Sequence, residues 1–253
     1  KTESLEDLEK TLQKIEADQF REIIAPLTLN GANSIAQLHN SLEIYIPTVN
    51  QKDILHKNFF HFYGGIDYEK QIEALKPLIQ KELYIFDQAS TVSQAITNDS
   101  IKEVQDIPIT QITINKRVVK YKKLFENISF ENNSSVIINT QPIKTSLLLS
   151  QFIYQDVNLS AVLSTQLSYN PLILSLTQAK DLEHFYIANS LVNVDQDIEE
   201  SNLLMGGDIK YDWINYATTR FVHHILSKRI DLMHPAESLF SLPIINHQIE
   251  YPI

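Results

Sequence analysis

The chain has 253 residues, with 43% hydrophobic and 9% aromatic residues, so it can bury a real core and is too apolar to remain disordered. Its 29.1 kDa fit one large domain or two small ones. A net charge of −10 argues against a general nucleic-acid or anionic-membrane binder, and the absence of cysteine excludes disulfides, thiolate catalysis and thiolate zinc sites.

Five glycines are few for folds that bring backbone close to a phosphate. No apolar run approaches the ~18 residues of a membrane helix. From Lys1 onward there is no basic-then-apolar leader, so no signal peptide is expected and a cytoplasmic location follows.

Leu5, Leu8, Leu12 and Ile15 recur at helical spacing, with Ser4 as a cap and Glu6 and Asp7 in the first turn. The seam is too short for a free coiled coil, so this helix packs on the body or on a partner. Asn30-Gly31 reads as a turn, followed by a short helix over Ile35–Leu42 capped by Asn33 or Ser34. Ile44 and Ile46 alternate before Pro47, the pattern of a short edge strand. His56, Phe59, Phe60, Phe62 and Tyr63 form an aromatic cluster. Asp67 opens a helix with Ile72, Leu75, Leu78 and Ile79 inward and a kink at Pro77.

Near residue 100 the pattern changes. Ile107 to Ile114 reads as a strand and Ser135–Asn139 as a buried one, while Leu147–Tyr154 suits strand or helix. Pro171–Leu176 reads as a strand, with a helix over Gln178–Val192 capped by Thr177. Asp195–Glu200 reads as an acidic loop. Trp213–Ile230 is the best amphipathic helix, expected to bury Ile214, Phe221, Val222 and Ile225. Ile244–Ile253 reads as an extended arm, with Ile245, His247, Ile249 and Tyr251 on its apolar side. The fold class is therefore mixed α/β (α+β), a mixed central sheet flanked by helices with a helical N-terminal part. The domain expectation is a mainly helical 1–100 and a mixed 101–253.

No motif carries chemistry. His223-His224 point about 100° apart on a helix and share an ion poorly. There is no HExxH and no Gly-flanked nucleophile elbow. Gly64-Gly65-Ile66-Asp67 lacks the residues of a phosphate loop and reads as a turn and cap. Neither catalytic residues, metal nor cofactor are expected.

Two charge clusters are the candidate interfaces. Lys116, Arg117, Lys120, Lys122 and Lys123 make one basic patch, and Asp195, Asp197, Glu199 and Glu200 an acidic one. Opposite patches permit head-to-tail assembly.

Residues 170–230 resemble a segment of the large sheath subunit of type VI secretion systems. The resemblance is carried by Asn170-Pro171-Leu172, by Asp181-Leu182-Glu183-His184-Phe185-Tyr186-Ile187-Ala188-Asn189-Ser190, and by Arg220-Phe221-Val222-His223-His224. It implies a contractile, multi-copy tube with a second protein subunit and no catalysis. Neighbours would exchange terminal strands. Arg220 and His223, three apart on one helix side, become interface groups. The expected partners are other copies or a second protein, with no nucleic acid and no membrane insertion. The alternatives are a hydrolase-type enzyme of unrecognised family, or a bacterial effector or immunity binding module.

Overall fold

A computed structural model describes residues 3–115, 121–191, 196–229, 244–245, 248–249 and 251, with the side chains of 223–229, 244 and 245 outside the description. The chain divides into two compact units, Lys1–Ile66 with Asn193–Pro252, and Asp67–Val192. Residue 100 falls inside a helix of the second unit.

The first unit opens with α1 (Leu5–Ala17). The Ser4 hydroxyl accepts the Asp7 amide at 3.3 Å, and Leu12 is buried, with Leu8 and Ile15 packed beside it. β1 (Glu22–Ile24) follows, then α2 (Leu29–Ala36). Asn30-Gly31 is thus helical and not a turn, because Thr28 caps the helix from its own hydroxyl, 3.2 Å from the Gly31 amide. A side chain at Gly31 would run into Glu3, whose carboxylate binds Thr28. β2 (Glu43–Ile46) is not an edge strand. It lies between β1 and β3 (His61–Tyr63), all parallel, and Pro47 sits beyond the ladder.

The second unit begins at α3 (Tyr68–Leu75), where Asp67 accepts the Lys70 amide at 3.2 Å. Pro77 turns the helix into a single 3₁₀ turn. There follow β4 (Leu83–Gln88), α4 (Thr91–Glu103), β5 (Ile109–Ile114) and α5 (Tyr121–Phe125). After them come β6 (Ser134–Asn139), α6 (Pro142–Tyr154), β7 (Leu159–Ser164), α7 (Leu172–Leu176) and β8 (Phe185–Ile187). The five strands are parallel in the order β5-β4-β6-β7-β8. Parallel strands need cover on both faces. Tyr84, Phe86, Val136 and Ile138 pack one face with Phe125, Leu148 and Phe152. Leu83, Ile85, Ile137 and Leu163 pack the other with Leu75 and Val104. The segments read as a strand at Pro171–Leu176 and a helix over Gln178–Val192 are instead α7, a 3₁₀ turn over Ala179–Leu182 and β8. Asn170 explains the first, since its carboxamide binds the Leu172 amide at 3.0 Å and starts a helical turn.

The chain returns to the first unit with α8 (Gln196–Leu204), α9 (Trp213–Arg229), β9 (Ile244–Ile245) and β10 (Gln248–Ile249). Most of the expected acidic loop is therefore helix. The C-terminal arm pairs within its own chain: β10 lies parallel to β3, and β9 antiparallel to β10. α9 buries Tyr216, Ala217, Arg220 and Phe221, whereas Ile214 and Val222 are exposed. The buried stripe is set by β2, where Tyr45 stacks on Phe221 at 3.9 Å and its hydroxyl meets Ala217 O and the Tyr251 hydroxyl. Ile225 lies outside the described side chains.

Two outcomes test this packing. Phe221→Ala removes a buried ring and should lower stability by about 3–5 kcal/mol, read from the denaturant midpoint of the first unit. His61 is fully buried, neither ring nitrogen has a hydrogen-bond partner among the described residues, and burial lowers its pKa to about 4. Unfolding then takes up a proton between that value and the ordinary ~6.5. Stability should be full above ~6.5 and fall by up to about 3 kcal/mol on acidification towards pH 4. His61→Leu should flatten that acid limb in pH-dependent melts.

Candidate functional site

In the second unit the chain passes from β4 outward to β5, then crosses to β6 on the other side of β4. The carboxyl ends of β4 and β6 thus form a topological switch point, where open α/β sheets take ligands. The residues there are polar and buried: Asp87, Gln88 and Ser93 at and beyond the end of β4, Asn139, Thr140 and Thr145 at and beyond that of β6, and Ser164, Thr165 and Ser168 at and beyond that of β7.

These groups bind one another. Ser93 Oγ donates to Asn139 O and accepts the Gln88 amide at 2.9 Å. Asn139 Nδ2 donates to Thr97 Oγ1 at 3.0 Å. Thr145 Oγ1 lies 2.9 Å from Thr140 Oγ1 and 3.0 Å from Ser168 Oγ. Ser168 Oγ reaches Thr140 O at 3.0 Å, and Ser164 Oγ lies 2.6 Å from Ile138 O. A second knot ties α3 to the ends of β7 and β8. Gln71 Nε2 donates to Gln166 Oε1 at 3.0 Å and to Ser190 Oγ at 2.9 Å, while Gln71 Oε1 accepts the Gln166 amide at 2.9 Å.

Three atoms there remain without a hydrogen-bond partner among the described residues: the acceptors Asp87 Oδ1 and Asn139 Oδ1, and Thr165 Oγ1, a hydroxyl that can donate as well as accept. Asp87 and Asn139 are paired across β4 and β6, so both side chains leave the same face, that of Ile85 and Ile137. Asp87 Oδ2 is held by Gln111 Nε2. Two of these atoms can only accept, and among the described residues no hydrogen bond joins the Thr165 hydroxyl to the Asp87 carboxylate. Among the described residues no group of three His, Cys, Asp or Glu could hold a metal ion.

The corresponding strand ends of the first unit are also filled by protein. The Trp213 indole N–H divides between Pro47 O at 2.9 Å and Gly64 O at 3.0 Å. Gln248 Oε1 accepts the Gln51 amide at 2.8 Å. Gly64 is required because a Cβ there would overlap the Tyr45 hydroxyl.

The described ones among the predicted interface residues are divided between the two units. Arg220 is buried, its guanidinium 5.6 Å from the centre of the Tyr216 ring. Lys122 and Lys123 are exposed on α5 in the second unit, whereas Asp197, Glu199 and Glu200 lie on α8 in the first. Glu199 pairs with Lys210 at 3.5 Å. Lys116, Arg117, Lys120, Asp195 and the His223 side chain lie outside the described residues. The hydroxyl network was missed, although a signal existed. Three apolar runs each end in polar residues, Asp87-Gln88, Asn139-Thr140 and Ser164-Thr165.

No protein-family model matches the chain, and no curated protein matches it. Solved structures do. A putative branched-chain amino acid ABC transporter from Rhodospirillum rubrum aligns with a TM-score of 0.65 at 9% identity, over 87% of this chain and 68% of that one. The LpoA (YraM) C-domain from Haemophilus influenzae, a regulator of PBP1A, aligns with a TM-score of 0.57 at 10% identity, over 96% of this chain and 81% of that one. A longer LpoA chain from Haemophilus influenzae gives 0.54 at 12% identity over 83% of this chain, which spans 41% of its length. The fold is thus shared with these structures.

That finding overturns the resemblance to a contractile sheath, and with it the structural-subunit and type VI secretion function. The three stretches behind the resemblance do not form one motif: the first two lie in the second unit, and Arg220 lies in the first. The hydrolase and effector or immunity alternatives have no support among these structures. Among the described residues no helix is long and apolar enough to cross a membrane.

Thr145→Val keeps the shape of the side chain and removes the hydroxyl shared by Thr140 and Ser168. It should destabilise the second unit by about 1–3 kcal/mol in denaturant melts, because its neighbours stay buried and lose a partner.

Proposed function

We propose that this chain is a non-catalytic binding module that recognises another protein, in the manner of the LpoA C-domain, and not a carrier of free amino acids. One observation carries this. Most polar groups at the switch point of the second unit are spent on each other, so among the described side-chain atoms buried there only the Thr165 hydroxyl is left to donate to a ligand carboxylate. The extent of the match supports it, since this chain accounts for 81% of the LpoA C-domain. Exposed apolar side chains on both units suit protein contact: Phe59 (84% exposed) and Leu55 (80%) on the first, Tyr154 (71%) and Leu174 (67%) on the second.

A second reading, amino-acid binding, is favoured by Asp87 Oδ1, a buried carboxylate oxygen without a hydrogen-bond partner at the switch point. The two are separated by thermal melts with each common amino acid at about 1 mM. A ligand present at 100 times its Kd stabilises by ~2.7 kcal/mol. The expected result is an unchanged melting temperature throughout. An upward shift for one amino acid that disappears in Asp87→Asn would replace the protein-binding proposal with the amino-acid one.

A further inference from the structure

We infer that the outer edge of β1, with the apolar groove beneath α1, is a docking site for an extended peptide segment of a partner protein. The inference rests on the protein-binding proposal above and adds the surface and the chemistry of what it takes.

The edge comes first. Glu43 N–H donates to Arg21 O, and Ala25 N–H donates to Tyr45 O, each at 2.8 Å. Arg21, Ile23 and Ala25 therefore turn their backbone groups towards β2, and Glu22 and Ile24 turn theirs away. No strand pairs with β1 on that side among the described residues. The N–H and C=O of Ile24 have no hydrogen-bond partner among the described residues. Such an edge is a template for one more strand.

The groove is an independent observation. A cavity of about 430 Å³ is lined by Leu8, Leu12 and Ile15 of α1, Ile23 and Ile24 of β1, and Phe20, with Ala25, Leu27, Ile35 and Thr11 completing the wall. The only hydroxyl in it, that of Thr11, already donates to Asp7 O at 2.7 Å. Among the described residues no side chain of the wall has a hydrogen bond left to offer a polar ligand, so what enters the groove must present aliphatic or aromatic carbon. Phe20 stands 60% exposed and Ile24 40% exposed at the margin.

Together the two features select the occupant. A free hydrocarbon chain would fill the groove and leave the Ile24 amide and carbonyl unmatched. A second copy pairing β1 against β1 would match those groups and leave the groove empty, because the β1 side chains already form its wall. An extended peptide does both: its backbone bonds to the edge, and its alternate side chains enter the groove. On α1 the line through Thr11 carries Asp7 and Asp18 against Lys14, so a basic residue flanking the apolar ones is favoured.

The test is selection of a displayed random-peptide library on the intact chain. The chosen peptide is then titrated into isotope-labelled protein, with amide shifts recorded. Enriched peptides should carry alternating apolar residues and shift Leu8–Ile15 and Ile23–Leu27. Ile24→Pro, which removes the edge donor, should weaken binding by about tenfold or more, or 1.4 kcal/mol. Thr11→Trp, at an exposed position on the groove rim, should do the same by filling the groove. N-methylation of alternate peptide amides should abolish binding for one set and spare the other, a readout independent of how the variants fold. A peptide that binds with shifts elsewhere would overturn this site and leave the protein-binding proposal standing. Failure to enrich any peptide would overturn the site, and an amino-acid response in the melts would remove both. Peptide-independent dimerisation abolished by Ile24→Pro would assign the edge to a second copy and overturn the proposal.

Discussion

All six residues of β4 are buried, with a parallel strand on either side, and the second unit is organised around that strand. A parallel strand hidden on both faces cannot be joined to its neighbour by a tight turn. Each connection must cross over a face, and crossovers are right-handed, so reversing direction at β4 sends the crossing helices to opposite faces. The same reversal opens a crevice at the carboxyl ends of β4 and β6. In this chain Ser93, Asn139, Thr140, Thr145 and Ser168 close it with hydroxyls and carbonyls of the strand ends themselves. The switch point serves here as an internal joint between strands.

This shapes what the fold can do. Structures of similar fold include a putative branched-chain amino acid ABC transporter and a regulator of PBP1A, so the architecture by itself decides neither role. Discrimination comes from where polar groups are left unspent. At the switch point of the second unit those are Asp87 Oδ1, Asn139 Oδ1 and the Thr165 hydroxyl, of which Asp87 alone is a carboxylate. At the β1 edge of the first unit they are the outward backbone groups of Ile24, beside carbon.

How much of this the sequence disclosed depended on the kind of signal. α1 and the described part of α9 each have one buried and one exposed side, and the 3.6-residue pattern placed α1 behind its Ser4 cap and the start of α9 at Trp213. Asp67 gave away α3 because a cap is a local chemical feature. β4 was passed over, since Leu83 to Phe86 is a continuous apolar run, and a strand buried on both faces has no alternation to show. Leu147–Tyr154 stayed ambiguous for a related reason: α6 is apolar around most of its circumference. On α9 the expected burial of Phe221 holds, but Ile214 and Val222 turn to solvent because Tyr45 fixes which side of the helix faces inward, a choice made by a residue 176 positions from Phe221 in the chain. The hydroxyl joint was hidden differently. Ser and Thr at strand ends are common, and only the pairing of β4, β6 and β7 brings these into contact.

The first unit is assembled from two stretches of chain separated by the whole of the second. β3 receives its neighbour β10 only from the far end of the sequence, and Tyr45 waits for Phe221 and Tyr251. The second unit is continuous and its strand pairings are local by comparison, so its closing entropy is smaller and its folding nucleus can form first. During synthesis the N-terminal part leaves the ribosome with β3 unpaired along one side and the faces of Tyr45 and Phe62 bare. It stays so until α9 and the final strands arrive. That interval, more than the finished structure, sets where a chaperone would hold this chain and why a C-terminal truncation would expose the sheet of the first unit while sparing the second.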